Sequence, residues 1–97
     1  MTRAYNINKE TEEGRVAKRF WNEPNKARQN ALEDILAILA KTNNLRDAAY
    51  LVRAEYKTCK ARIEAERKQT TVSRHVIEND QTMAVVYRDF YRRFVED

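Results

Sequence analysis

A single glycine, Gly14, and a single proline, Pro24, serve all 97 residues. Sheet-rich domains reverse direction roughly every 8–12 residues and rely on these two residue types to do it. A chain with one of each cannot supply the turns of a sandwich or barrel. Ala, Leu, Glu, Lys, Arg and Gln, all good helix formers, dominate instead. The fold class expected is therefore all-α: a compact bundle of three main helices plus a short N-terminal helix. The whole chain, 1–97, is expected to form a single helical domain, with 1–8 as a flexible arm that Tyr5 and Ile7 are able to pin.

The same economy limits the chemistry. Cys59 and His75 are the only residues of their types. No intramolecular disulfide can form, and a structural zinc site, which takes about four N or S ligands, is not available. One glycine cannot build a phosphate-cradling loop, and none of the nucleotide-binding, nucleophile-elbow or zinc-protease motifs is present. No cofactor is expected. The opening residues lack the apolar run of a secretion signal. The main apolar run, 31–40, carries Glu33 and Asp34 and falls short of the ~20 residues that cross a bilayer. A soluble cytoplasmic protein that does not engage a membrane is expected.

The apolar spacing predicts the elements. The first helix is expected from Lys9 to Trp21, capped by Asn8, with Glu10, Glu12 and Glu13 as a solvated cluster at the positive end of its dipole. Gly14 weakens it by about 1 kcal/mol relative to Ala unless close packing or an early helix end explains it. Asn22-Glu23-Pro24-Asn25 forms the break. The second helix is expected from Pro24 to Thr42. Its apolar positions Ala27, Ala31, Leu32, Ile35, Leu36, Ile38 and Leu39 cover about half its circumference, so it should be central. Asn43-Asn44 ends it, with an Asn in the left-handed conformation of a C-cap. Asn44 also caps the third helix, with Asp47 in a capping-box-like place.

The third helix is expected from Leu45 to Lys68, with Leu45, Ala48, Ala49, Val52, Tyr56, Cys59 and Ile63 at alternating spacings of three and four. The second and third helices should form an antiparallel hairpin, since the turn between them is short. Residues 69–73 connect onward. A short helical stretch over 73–78 is expected, then a break or kink at Asn79-Asp80, with Asp80 capping a last helix to Val95. The face of that helix is Met83, Val86, Tyr87, Phe90 and Phe94, joined by Val76 if the helix is continuous. Its aromatics, with Tyr91 at the margin, fall on one arc and Arg88, Arg92 and Arg93 fall elsewhere, so the aromatics face a core and the arginines face water. Trp21, Tyr50, Leu51 and Val85 lie off the apolar stripes, and a small chain leaves such residues uncovered.

The local concentration of charge is the main functional signal. Arg46, Arg53, Lys60 and Arg67 recur every seven residues on the third helix, with Lys57 and Lys68 beside them. Glu55 and Glu66 fall on the opposite flank, and Glu64 alone interrupts the basic one. From Arg53 to Arg74 there are seven basic and three acidic residues, an excess equal to the whole net charge of +4. One reading is a solvated flank that pairs with acids a turn away. The other is a docking surface for an anionic partner.

The leading expectation is a non-enzymatic protein-binding module, an inhibitor or accessory factor that occupies a partner's surface through Arg46, Arg53, Lys57, Lys60, Arg67 and Lys68. Small phage and mobile-element proteins are often built this way, an analogy of type and not of motif. A protein with an acidic surface suits the flank better than DNA or RNA, because Glu55, Glu64 and Glu66 share the helix. The alternative is a nucleic-acid-binding protein that uses the same flank. A second copy of the chain is a further candidate partner. A Cys59–His75 nucleophile pair is the sole enzymatic arrangement the sequence offers, and Cys59 falls on the apolar stripe.

Overall fold

A computed structural model describes residues 8–96. The expected arm, with Tyr5 and Ile7, lies outside them apart from Asn8. The architecture is all-helical: α1 Lys9–Asn22, α2 Lys26–Lys41, α3 Leu45–Arg67 and α4 Arg74–Tyr91. Among the described residues there is no strand, and no helix is long and apolar enough to cross a membrane.

Each helix opens on a polar cap whose side chain accepts a backbone N–H. Asn8 accepts from Thr11, Asn25 from Arg28, Asn44 from Asp47 and Ser73 from Val76. Such caps contribute typically about 1 kcal/mol each. They shift two expected boundaries. The second helix begins at Lys26 and not Pro24, because the Asn25 side chain satisfies the Arg28 N–H and the proline stays outside. No residue of the Asn43-Asn44 turn enters the left-handed region, since no described residue has positive φ. The chain leaves α2 extended at Thr42, whose hydroxyl donates to the Ile38 carbonyl at 2.8 Å.

The last helix departs furthest from expectation. It runs unbroken through Asn79-Asp80 from its Ser73 cap. Asp80 caps nothing. Its carboxylate takes Arg62 Nε at 3.2 Å and Nη2 at 3.3 Å, and its carbonyl accepts the Cys59 thiol at 3.2 Å. Those partners on α3 hold it inside a helix that its own propensity would end. Continuity does not bury Val76, which stays 44% exposed while Ile77 packs on the core.

α2 packs against all three other helices, as its broad apolar face requires, but its contact with α3 is the smallest of the four main helix pairings. The antiparallel hairpins are α1 with α2 and α3 with α4. Lys9 Nζ reaches the Leu39 carbonyl and Gln29 Nε2 the Phe20 carbonyl. Tyr56 stacks on Tyr91, while Arg53 bonds the Glu96 carbonyl. The expected α2–α3 hairpin is thus corrected. The α3 stripe beyond Asn44 is matched by the aromatic face of α4, and α4 also lies on α2, where the Tyr87 hydroxyl donates to Asp34 at 2.5 Å. Burial, then that bond, holds the Tyr87 phenol far above its ordinary pKa.

The core contains Ala31, Leu32, Ile35, Leu39, Ala48, Ala49 and Val52 with no exposed surface, joined by Val16, Cys59, Ile63, Tyr87 and Phe90. Tyr91 is buried with them, at 2% exposed, so the marginal, wet position expected for it is not what forms. It lies beneath Tyr56, with ring centroids 5.5 Å apart.

Candidate docking surface along the seam of α3 and α4

The apolar positions of α3, read as Leu45, Ala49, Val52, Tyr56, Cys59 and Ile63, occupy successive a and d sites of a heptad. Arg46, Arg53 and Lys60 each follow such a site in the e position, the place that sets partner choice in packed helices, and Arg67 continues the row one heptad on, after Glu66. The seam beside this row faces α4. Its far wall carries Arg74, Gln81 and Arg88, also seven residues apart.

Three shallow grooves follow one another along this seam. One of about 580 Å³ lies between Arg46, Tyr50 and Arg53 and the chain end at 94–96. A central groove of about 200 Å³ is walled by Lys60 and Arg88, with Tyr56, Ile63, Ala84 and Val85 around it. A third of about 390 Å³ lies between Arg67 and Arg74, over Val72 and Ile77. Gln81 borders both the second and the third.

The expected site residues take different stations. Arg46 and Arg53 hold Tyr50 between them, with their guanidinium carbons 5.7 and 5.5 Å from its ring centre. Each contact contributes about 0.5–1 kcal/mol at an exposed site. Arg53 also donates to the Glu96 carbonyl at 3.0 Å, which fixes its direction. Lys57 and Lys60 are exposed and have no ion pair among the described residues. Glu64, one turn from Lys60, pairs instead with Arg67 at 3.7 Å. Lys68 caps the end of α3, where the helix dipole favours a cation. Arg46, Arg53, Lys60 and Arg67 thus border the seam, while Lys57 and Lys68 lie outside the three groove linings.

Arg74 and Arg88 were not among the expected site residues. Arg88 Nη2 stands 3.6 Å from Asp89, and its Nε–H is buried without a hydrogen-bond partner among the described residues. The seven-residue recurrence of Arg74, Gln81 and Arg88 was present in the sequence. It carried no meaning as long as α4 was expected to break at Asn79-Asp80, since a break puts Arg74 on a different element.

Two other clusters are structural. Glu12, expected in solvent, is fully buried, with Arg93 on both its oxygens and Arg15 Nη1 at 3.5 Å. α1 packs on α2 with this face inward, and a carboxylate there needs a cation. Arg93 accordingly spans to α1 and does not simply face water. Cys59 and His75 do not meet as a reactive pair. The thiol is buried and bonded to Asp80, while His75 is exposed at the start of α4. Burial is the main influence raising the Cys59 pKa, the opposite of what activates a thiolate. No group of three or more His, Cys, Asp or Glu among the described residues is placed to hold a metal ion.

No family model matches this chain, and neither a curated protein nor a solved structure matches it.

Proposed function

We propose that this chain is a non-enzymatic binding module, an inhibitor or accessory factor that covers an acidic surface of a protein partner with the α3–α4 seam. The observation that carries this reading is the paired rows of cations bordering one seam, with Lys60 among them lacking any carboxylate partner in the described residues. The solvated-flank reading asks these charges to pair within the helix, and of the α3 cations that border the seam only Arg67 does so among the described residues. Arg46 and Arg53 around the half-exposed Tyr50 add the residue types that dominate binding energy at protein interfaces. Three longer helices and a shorter α1 form the scaffold of the proposed single domain.

The alternative is nucleic-acid binding. It is disfavoured by Glu64, Glu78, Asp89 and Glu96, which stand among the seam cations and would repel a continuous phosphate backbone. Exposed Trp21, Tyr50, Leu51, Val76 and Val85 support self-association as an additional use of the surface.

Partner capture with the intact chain, repeated with Lys57→Glu/Lys60→Glu, tests the proposal. Loss of the partner with unchanged helix content supports it. Undiminished capture returns the flank to a solvated face. Tight binding to random duplex DNA, with affinity falling by about 0.9 log units per log unit of salt for each phosphate neutralised, favours the alternative. Sedimentation as a monomer at high concentration removes self-association.

A further inference from the structure

Beyond the core lie the carboxyl cluster of Glu66 and Asp80, the exposed Trp21, and the seam itself. Arg62 engages the first, and nothing in the structure shows what covers the second. The seam carries more, because its walls have a repeat and a repeat implies the geometry of what lies in it.

Cations recur every seven residues on the α3 wall, at Arg53, Lys60 and Arg67, and stand fourteen residues apart on the α4 wall, at Arg74 and Arg88 about Gln81. At ~1.5 Å per residue, seven residues of helix span about 10.5 Å. A helix laid along the seam presents residues at i, i+7 and i+14 with that same period. Residues seven apart drift by about 20° around a straight helix, and a neighbour that follows the drift crosses at the shallow left-handed angle of packed bundles. An extended segment does not fit. Its same-face residues recur about every 6.7 Å, since its side chains alternate. Between the rows lie the apolar side chains of Tyr56 and Val85, over the nearly buried Ile63 and Ala84, with Ile77 beyond. Cationic walls over an apolar floor complement an amphipathic helix whose apolar stripe is edged by acids.

We propose that the seam receives an acidic amphipathic helix of a protein partner, packed as a third helix against α3 and α4, with carboxylates seven residues apart meeting Arg53, Lys60 and Arg67. This rests on the docking reading above and gives it a partner element. The central carboxylate sits between Lys60 and Arg88, whose buried Nε–H has no partner among the described residues. A singly charged carboxylate suits that place better than a phosphate. Asp89 at 3.6 Å already offsets part of the Arg88 charge, and Glu64 at 3.7 Å does the same for Arg67.

The test uses the full chain and two synthetic peptides of identical composition and helical propensity. One carries Glu every seven residues along one edge of an apolar stripe over three heptads; the other has the same residues with the glutamates redistributed around the helix. The patterned peptide is expected to bind at least tenfold tighter by calorimetry, and to shift the Arg88 Nε–H resonance. Lys60→Gln and Arg88→Gln should each weaken it about tenfold. Lys26→Gln, on the exposed start of α2, should leave it unchanged. Equal binding of the two peptides, both lost with Arg53→Glu, overturns the helix while the acidic docking reading stands. Binding of the patterned peptide that ignores Lys60→Gln and Arg88→Gln overturns the central station. Failure of both peptides to bind overturns the proposal, and the docking reading is then decided by partner capture alone. Tighter binding of duplex DNA than of either peptide overturns both.

Discussion

The carboxylate of Glu12 and the guanidinium of Arg93 meet across 81 residues of chain through hydrogen bonds of 2.5 and 3.2 Å. Glu12 has no exposed surface, while the Arg93 side chain is about a third exposed. Arg93→Ala therefore leaves a buried carboxylate with Arg15 as its remaining cation. It is expected to cost about 3 kcal/mol, the low end for a broken buried pair. Urea unfolding reads this directly, and an unmoved midpoint would show that the clasp does not hold α1 to the chain end. Glu12→Leu with Arg93→Met should recover most of the loss, since an apolar pair of similar volume avoids the desolvation cost.

Glu66 is expected to give the protein a pH dependence whose sign follows from its surroundings. Its carboxyl is pushed above the ordinary range by desolvation first, then by Asp80, against the opposing pull of Arg62. A carboxyl raised on folding binds more protons in the folded state. Its contribution is complete below the unfolded value and is lost as pH rises through the raised one. Stability from this group should thus grow as pH falls through the raised value toward the ordinary carboxylate range. Glu66→Gln is expected to raise the denaturation midpoint at neutral pH and to remove that slope. A variant with the wild-type pH profile would assign the dependence elsewhere.

Gly14 is neither packed closely nor at a helix end. α1 runs past it to Asn22, and a Cβ built there meets nothing within 4 Å. Gly14→Ala should stabilise the protein by about 1 kcal/mol, the full helix-propensity difference. A thermal midpoint that falls instead would reveal a neighbour for that face.

Ile35, with no exposed surface, sits where α2 meets the rest of the core. Ile35→Ala is expected to cost about 2–5 kcal/mol, depending on how far the site collapses. Chemical denaturation measures it, and a change under about 1 kcal/mol would be too small for a fully buried isoleucine.

The residues that made the fold readable are those whose local and tertiary preferences agree. The stripe from Leu45 to Ile63 packs into the core where its spacing placed it, with Leu45 and Tyr56 partly buried, and Asn8 and Asn44 cap the helices they precede. Tyr87 and Phe90 are core, as their shared arc required. The errors fall where a distant residue overrides a local preference. Asp80 reads as a cap until Arg62 and Cys59, some twenty residues earlier, are known to bond it. Glu12 reads as solvated until Arg93 is brought to it. The site follows the same rule. One wall was legible as a heptad of cations on a single helix. The other required knowing that α4 is continuous and antiparallel to α3, which periodicity within either helix does not state.

Cys59 gives the molecule an internal clock. It is the chain's one cysteine, it is 1% exposed, and its thiol is tied to the backbone of α4 through Asp80. A thiol reagent in water can reach it only when α3 and α4 part. The rate of labelling therefore measures how often that pair opens, in the same terms as the protection of a buried amide against exchange. A helix seated in the seam would clamp the two together and slow the clock, so occupancy could be timed without attaching any probe to the proposed docking surface.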